Sequence, residues 1–205
     1  MADGAPIQPQ FAEHRVVGVS WYAPALQVTV EGFHKRFSSL GQFQERNSDR
    51  PEFAQGRGRA RGLDVYLRWQ TEQHALWGSY TLSEVTEQFR NQEPRHATHY
   101  QPHEVKGAYE LTLPNWAFSV TNVWGSPTAE DDTPYWRTDV GATYFLPMER
   151  ADTEVGLSIL NLFNRRNPRI GQTYLLPEGD SYATLGIPFT ASVYARVRLH
   201  RIPGF

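Results

Sequence analysis

Residues 187 to 200, IPFTASVYARVRLH, alternate without a break. Phe189, Ala191, Val193, Ala195, Val197 and Leu199 fall on one face of a strand, and Thr190, Ser192, Tyr194, Arg196, Arg198 and His200 on the other. Strand side chains repeat every second residue, so the pattern assigns one apolar face and one wet, basic face. A run of about a dozen residues also has the length of a tilted strand crossing a bilayer. The expectation is lipid on one side and an aqueous lumen on the other.

Hydropathy alone points elsewhere. The chain has 205 residues, is 40% hydrophobic and has a mean hydropathy of -0.56. It holds no apolar run of about 18 residues, the length a spanning helix needs. A barrel strand shows lipid only at alternate positions, however, so its lumen face dilutes the average. The six Trp and ten Tyr suit the aromatic girdles of such a barrel, and equally a sugar-binding sandwich. The absence of cysteine removes disulfide scaffolds, thiolate metal sites and cysteine nucleophiles. A net charge of -2 gives no reason to expect nucleic acid as a partner. The N-terminal stretch MADGAPIQPQFAEHR has neither the basic start nor the apolar core of a secretory signal.

Nine segments read as strands: roughly 13 to 22, 25 to 37, 59 to 70, 74 to 85, 103 to 113, 115 to 125, 134 to 146, 152 to 175 and 187 to 200. The connections alternate in length. They are short at Ala23-Pro24, Thr71-Glu72-Gln73, Pro114 and 147 to 151, and long at 38 to 58, 86 to 102, 126 to 133 and 176 to 186. Short turns on one rim and long loops on the other describe an antiparallel up-and-down barrel. Trp21, Tyr22, Trp69, Trp116, Tyr144 and Phe145 sit beside the short turns, where an interfacial girdle belongs. Nine is an odd number, and an open sheet in lipid would strand backbone donors and acceptors along two edges. A portion of a larger barrel is therefore expected, with residues 1–12 as a lead-in and 13–205 as the partial barrel domain.

Several words in these strands resemble TonB-dependent outer-membrane receptors. They are Gly58-Arg59-Ala60-Arg61-Gly62-Leu63-Asp64-Val65, Gly78-Ser79-Tyr80-Thr81-Leu82-Ser83, Gln101-Pro102-His103, Trp124-Gly125-Ser126-Pro127, Arg137-Thr138-Asp139 and Asn161-Leu162-Phe163-Asn164. Each is weak alone; their order along about two thirds of the chain carries the resemblance. It implies the last part of a barrel of about 22 strands, with periplasmic short turns, extracellular long loops and a lumen blocked by an N-terminal plug. It also implies uptake of a siderophore, vitamin, glycan or peptide, driven by an inner-membrane energy-coupling complex acting through the plug. Plug, coupling box and signal peptide are not in this sequence, so the plug and upstream strands count as partners the chain needs. Phe205 supplies the terminal aromatic of the family, while Pro203 and Gly204 interrupt the strand ahead of it.

Asp64, Arg68, Arg137, Asp139, Arg196 and Arg198 fall on the wet faces. They fit either a path for a polar or anionic substrate or a ladder of cross-strand ion pairs that fixes register. His96, His99 and His103 are the nearest approach to a metal constellation, but lie in a loop with no rigid element to aim three rings at one ion. No metal or other cofactor is expected. Arg46, Arg50, Arg57, Arg59 and Arg61 fit phosphates of outer-membrane lipid and lipopolysaccharide, or an anionic ligand, though Glu45, Asp49 and Glu52 nearly balance the loop. No Gly-x-Ser-x-Gly turn, His-Glu-x-x-His helix or phosphate-cradling glycine motif is present, and an enzyme is not expected. Three functions compete: a receptor barrel in the cell outer membrane, a standalone or oligomeric passive pore, and a soluble carbohydrate-binding β-sandwich.

Overall fold

The computed structural model describes residues 9–44, 52–89, 92–97, 100–128, 132–148, 151–175 and 181–199. Every regular element among them is a strand. In order these are β1 (Phe11–Ala23), β2 (Leu26–Gln44), β3 (Glu52–Gln70), β4 (His74–Phe89), β5 (Arg95–His96), β6 (His103–Thr112), β7 (Trp116–Gly125), β8 (Tyr135–Met148), β9 (Ala151–Leu160), β10 (Pro168–Leu175), β11 (Ser181–Leu185) and β12 (Thr190–Leu199). The main sheet runs β1-β2-β3-β4-β6-β7-β8-β9-β12, all neighbours antiparallel, with β5 paired to β4. β10 and β11 form a hairpin of their own.

Register confirms the sorting of faces. Val65 pairs with Val30 on one side and Tyr80 on the other, and Gln27 pairs with Arg68 and Glu31 with Asp64. Followed across the sheet, Val19, Val30, Val65, Tyr80 and Val105 share one face. Phe118, Ala142, Leu157 and Val193 continue it on the far side. That face stays open: Val17 is 80% exposed, Val19 73% and Val193 74%. The only buried apolar side chains among the described residues are Ala60, Phe89 and Ala151.

A soluble sandwich needs a second sheet packed on the first, with a core between them. Here each strand of the main sheet makes its substantial contacts only with its hydrogen-bonded neighbours. The carbohydrate-binding sandwich is thereby set aside.

The apolar face is bounded by aromatic rings. Near the short-turn rim, Trp116 packs against Tyr144 at 4.8 Å and stacks on Phe118 at 5.6 Å between ring centroids. Trp69, His74 and Tyr109 form a second stack, closed by a 2.7 Å bond between His74 Nδ1 and the Tyr109 hydroxyl. Trp21 shares this face, as the register Trp21, Val28, Leu67 requires, whereas Tyr22 and Phe145 turn to the other. Toward the long-loop rim, Trp124 lies opposite Trp136, which packs on Phe163 at 5.8 Å. Trp116 and Trp124 are eight residues apart on β7. At about 3.3 Å per residue that is ~26 Å along the strand. A typical tilt brings it to ~20 Å, near the ~25 Å apolar band of outer-membrane barrels.

Three expectations need correction. The segment 152 to 175 is not one strand: β9 ends at Leu160, and Asn161 (φ 50°) and Asn164 (φ 48°) take left-handed conformations that turn the chain out of the sheet. Residues 38 to 58 are not a long loop, because β2 and β3 stay paired as far as Gln44 and Glu52. β1 begins at Phe11, ahead of the expected boundary. The alternation of short and long connections holds, with Pro24-Ala25, residues 71–73, 113–115 and 149–150 on one rim.

Candidate functional site

The face opposite the apolar one is the candidate site, and it is polar nearly throughout. Asp64 on β3 accepts a 2.6 Å bond from Thr81 Oγ1, its partner on β4. Arg68, further along β3, donates to Gln70 Oε1 at 2.7 Å. Both residues lie toward one edge of the sheet.

Arg196 and Arg198 lie at the opposite edge. Arg196 forms a 2.7 Å ion pair with Glu154 on β9, and Arg198 stands opposite Asp152 in the register. These four side chains line a recess of about 280 Å³ with Pro114 and Asn115, next to the short-turn rim. Beside it, Gly156 admits the ring of Tyr194, whose hydroxyl is 3.0 Å from Thr143 Oγ1; a Cβ at position 156 would overlap that ring. Glycine is needed there for close approach, which locks β12 onto β9 and β8.

Arg137 and Asp139 alternate along β8 and so share the polar face. Two guanidinium nitrogens of Arg137 donate to Asp139 Oδ2, at 3.0 and 2.8 Å. The other carboxylate oxygen accepts the backbone N–H of Asn161 at 2.8 Å. Asp139 therefore holds the turn after β9. Asn161 is 1% exposed, donates through Nδ2 to the carbonyls of Arg165 (2.8 Å) and Ile187 (2.9 Å), and accepts the Arg165 N–H at 3.0 Å. Asn164 Oδ1 accepts from Phe189 N–H, and Asn167 exchanges two bonds with the backbone of Trp136.

This asparagine clamp is what the residue types alone did not disclose. Asn161 and Asn164 stood out as part of a family word, but their partners, Arg165, Ile187 and Phe189, are set by the path of the chain. A buried Asn after an apolar strand was the available signal.

The six predicted residues do not converge. Arg196 and Arg198 meet across from Glu154 and Asp152, Arg137 and Asp139 meet each other, and Asp64 and Arg68 stand apart. β3 and β12 are six strand spacings apart in the sheet order, or about 29 Å at ~4.8 Å per spacing. The geometry supports a polar wall with local pairs rather than one pocket.

The histidines go separate ways as well. His96 stacks on Tyr100 at 4.6 Å, and His103 Nδ1 lies 2.8 Å from the Tyr80 hydroxyl. His99 falls outside the described residues, as do Arg46, Arg50, Glu45 and Asp49. Among the described residues no set of three His, Cys, Asp or Glu is placed to hold a metal ion. Tyr100 lies in the connection between β5 and β6. Burial, and then the charge of Glu84, push its phenol above the ordinary range.

A single-layer antiparallel sheet with one apolar, aromatic-bounded face and one polar face is the wall of a membrane-spanning β-barrel. Its fold is that of the barrel of TonB-dependent outer-membrane receptors. The ferric preacinetobactin receptor BauA from Acinetobacter baumannii matches with a TM-score of 0.68 at 16% identity, over 93% of this chain and 30% of that one. The pyoverdine outer membrane receptor FpvA from Pseudomonas aeruginosa matches at 0.66 and 9%, over 95% and 30%. The ferric-catecholate import receptor Fiu from K12 E. coli matches at 0.63 and 14%, over 95% and 28%. The chain thus spans less than a third of the length of these structures. No protein-family model matches the sequence, and no curated protein matches it.

Proposed function

We propose that the chain from Phe11 onward, with the residues before it as a lead-in, forms part of the barrel wall of a TonB-dependent receptor in the bacterial outer membrane. Its task is energy-coupled uptake of a siderophore, vitamin, glycan or peptide, and it performs no catalysis. The observation that carries this reading is the two-faced single sheet, which resembles receptor barrels over nearly its whole length. In this role the short turns face the periplasm and the long connections face outward. The polar pairs Arg196–Glu154 and Arg137–Asp139 hydrate and stiffen the lumen wall. A plug inside the complete barrel would link the wall to the inner-membrane energy-coupling complex. Substrate contact then falls to the plug and the outward loops.

The edges define how the wall must be completed. Among the described residues β1 pairs only with β2, and β12 only with β9, so each leaves one side without a ladder there. In lipid every such group costs several kcal/mol unless another strand pairs with it. Further strands of a larger barrel would satisfy both edges. A passive pore assembled from several copies is the second reading, and the same open edges favour it.

The test is refolding into detergent micelles, read by heat-modifiable gel mobility and circular dichroism, with and without the upstream part of a receptor barrel. The receptor reading expects a compact β-rich species only when upstream strands are supplied. A discrete oligomer formed by this chain alone, with conductance in planar bilayers, would replace the receptor by the pore.

A further inference from the structure

Two neighbouring strands open on the same pattern. β4 begins His74-Ala75-Leu76-Trp77-Gly78-Ser79-Tyr80 and β6 begins His103-Glu104-Val105-Lys106-Gly107-Ala108-Tyr109: histidine first, glycine at the fifth position, tyrosine at the seventh. The strands pair antiparallel with Gly78 opposite Gly107, so a local two-fold axis passes between the glycines. Each histidine then lies diagonally across from the tyrosine of the other strand. His74 stands opposite Leu111 and reaches Tyr109, and His103 stands opposite Leu82 and reaches Tyr80. A 2.7 Å hydrogen bond joins His74 Nδ1 to the Tyr109 hydroxyl, and a 2.8 Å bond joins His103 Nδ1 to that of Tyr80. The rings stack at 6.0 and 6.1 Å between centroids.

The place of these pairs in the sheet is what gives them a task. β3–β4 and β6–β7 are hairpins whose short turns, at 71–73 and 113–115, set their registers. β4 and β6 are joined only through the long connection at 90–102, which carries β5. A slip of two residues at this seam would leave every side chain on its own face, so apolar alternation does not choose the register. The main chain of each histidine is held by its own hairpin. Thr71 N–H donates to the His74 carbonyl at 2.8 Å, and Thr71 Oγ1 accepts the His74 N–H at 3.1 Å. Ser126, which follows β7, does the same for His103: its N–H donates to the carbonyl at 2.9 Å and its Oγ accepts the N–H at 3.1 Å. Each imidazole is thus a fixed point on one hairpin that grips a tyrosine of the other.

We propose that the two His–Tyr pairs are the register lock of the β4–β6 seam, with His74 and His103 as its positioning residues. Diagonal neighbours in a sheet lie about 7–8 Å apart, a span an aromatic side chain covers. A slip of two residues in one direction puts each histidine four positions from its tyrosine, beyond reach. The opposite slip puts the two directly opposite at about 5 Å, where the phenol hydroxyl overshoots Nδ1. Only the observed register makes both bonds, and Trp69, stacked on His74 at 5.9 Å, keeps that ring in place.

The sequence contains no cysteine, so introduced pairs report the register by disulfide formation. In the barrel folded with upstream strands supplied, S79C/K106C reads the observed register, since these residues are direct partners on the polar face. S79C/E104C and S79C/A108C read the two slips; in the observed register they are diagonal and too far apart to bridge. H74F/H103F keeps the rings and removes both bonds, and the ratio of slipped to native disulfide should rise about thirtyfold. H74F or H103F alone should raise it roughly fivefold. W116F, which thins the aromatic packing at the β7–β8 seam, should leave the ratio as it was. A ratio unchanged in the histidine variants, or raised equally by W116F, would overturn the proposal. If the double variant does not fold, the single variants decide by the same criterion. The reporters read an oligomer of this chain equally well, so the outcome does not hang on how the barrel is completed.

Discussion

Replacing Asn161 by alanine removes three hydrogen bonds at a site that is 1% exposed: two to the carbonyls of Arg165 and Ile187, and one from the Arg165 N–H. Each is worth about 1 kcal/mol net, and more where the abandoned partner finds no water. Alanine must also hold a φ of 50°, which costs a non-glycine residue without a local polar side chain about 1 kcal/mol. The expected loss for N161A is about 4 kcal/mol. Glycine removes the same bonds but accepts the backbone conformation, so N161G should lose about 1 kcal/mol less. Urea titration of the protein folded in micelles together with upstream barrel strands gives both values from the shift in midpoint at constant slope. A loss below about 1 kcal/mol for both variants would refute the clamp. A glycine variant less stable than the alanine one would refute the backbone argument while leaving the hydrogen bonds standing.

Gly156→Val should destabilise by about 1–3 kcal/mol through overlap with the Tyr194 ring, and adding Tyr194→Ala should recover part of that loss in the same assay. Val120→Arg, midway between Trp116 and Trp124 on the apolar face, should cost ~2–4 kcal/mol in a bilayer, while Thr121→Arg, one residue on and lumen-facing, should cost less than ~1 kcal/mol. Comparable penalties at 120 and 121 in a lipid-reconstituted folding titration would sink the assignment of faces. Arg196→Glu should change stability by less than about 1 kcal/mol, because the arginine side of its pair with Glu154 is 65% exposed to water. A larger midpoint shift would mean that this pair fixes register.

The parity of residues such as Leu63, Val65 and Leu67 against Asp64, Tyr66 and Arg68 was readable because a strand has only two faces and apolar and polar residues divide between them. Turn positions were readable for a similar reason, since Pro24 and Pro114 cannot sit in a central ladder. What could not be read was pairing. Arg137 with Asp139 and Arg196 with Glu154 depend on register between strands, and alternation within one strand says nothing about its neighbour. The bend at Asn161 escaped because only the carbonyls of Arg165, in the turn that follows, and of distant Ile187 make its left-handed conformation worthwhile. The tall β2–β3 hairpin was read as a loop because the two-residue hydrophobic signal fades in the sequence beyond residue 37.

Ser39, at φ 58°, sits where the β2–β3 register slips, so that Ser38 opposes Arg57 while Leu40 opposes Gly56. The inserted residue inverts the meaning of odd and even along β2. Below it the even positions Val28 and Val30 lie on the apolar face; beyond it the even-numbered Leu40 turns to the opposite face and covers Gly58. One polypeptide strand thereby carries two phase-shifted codes, one on each side of the slip. A segment exchanged between such hairpins keeps its sidedness only if its frame is counted from Ser39 rather than from the turn at Pro24.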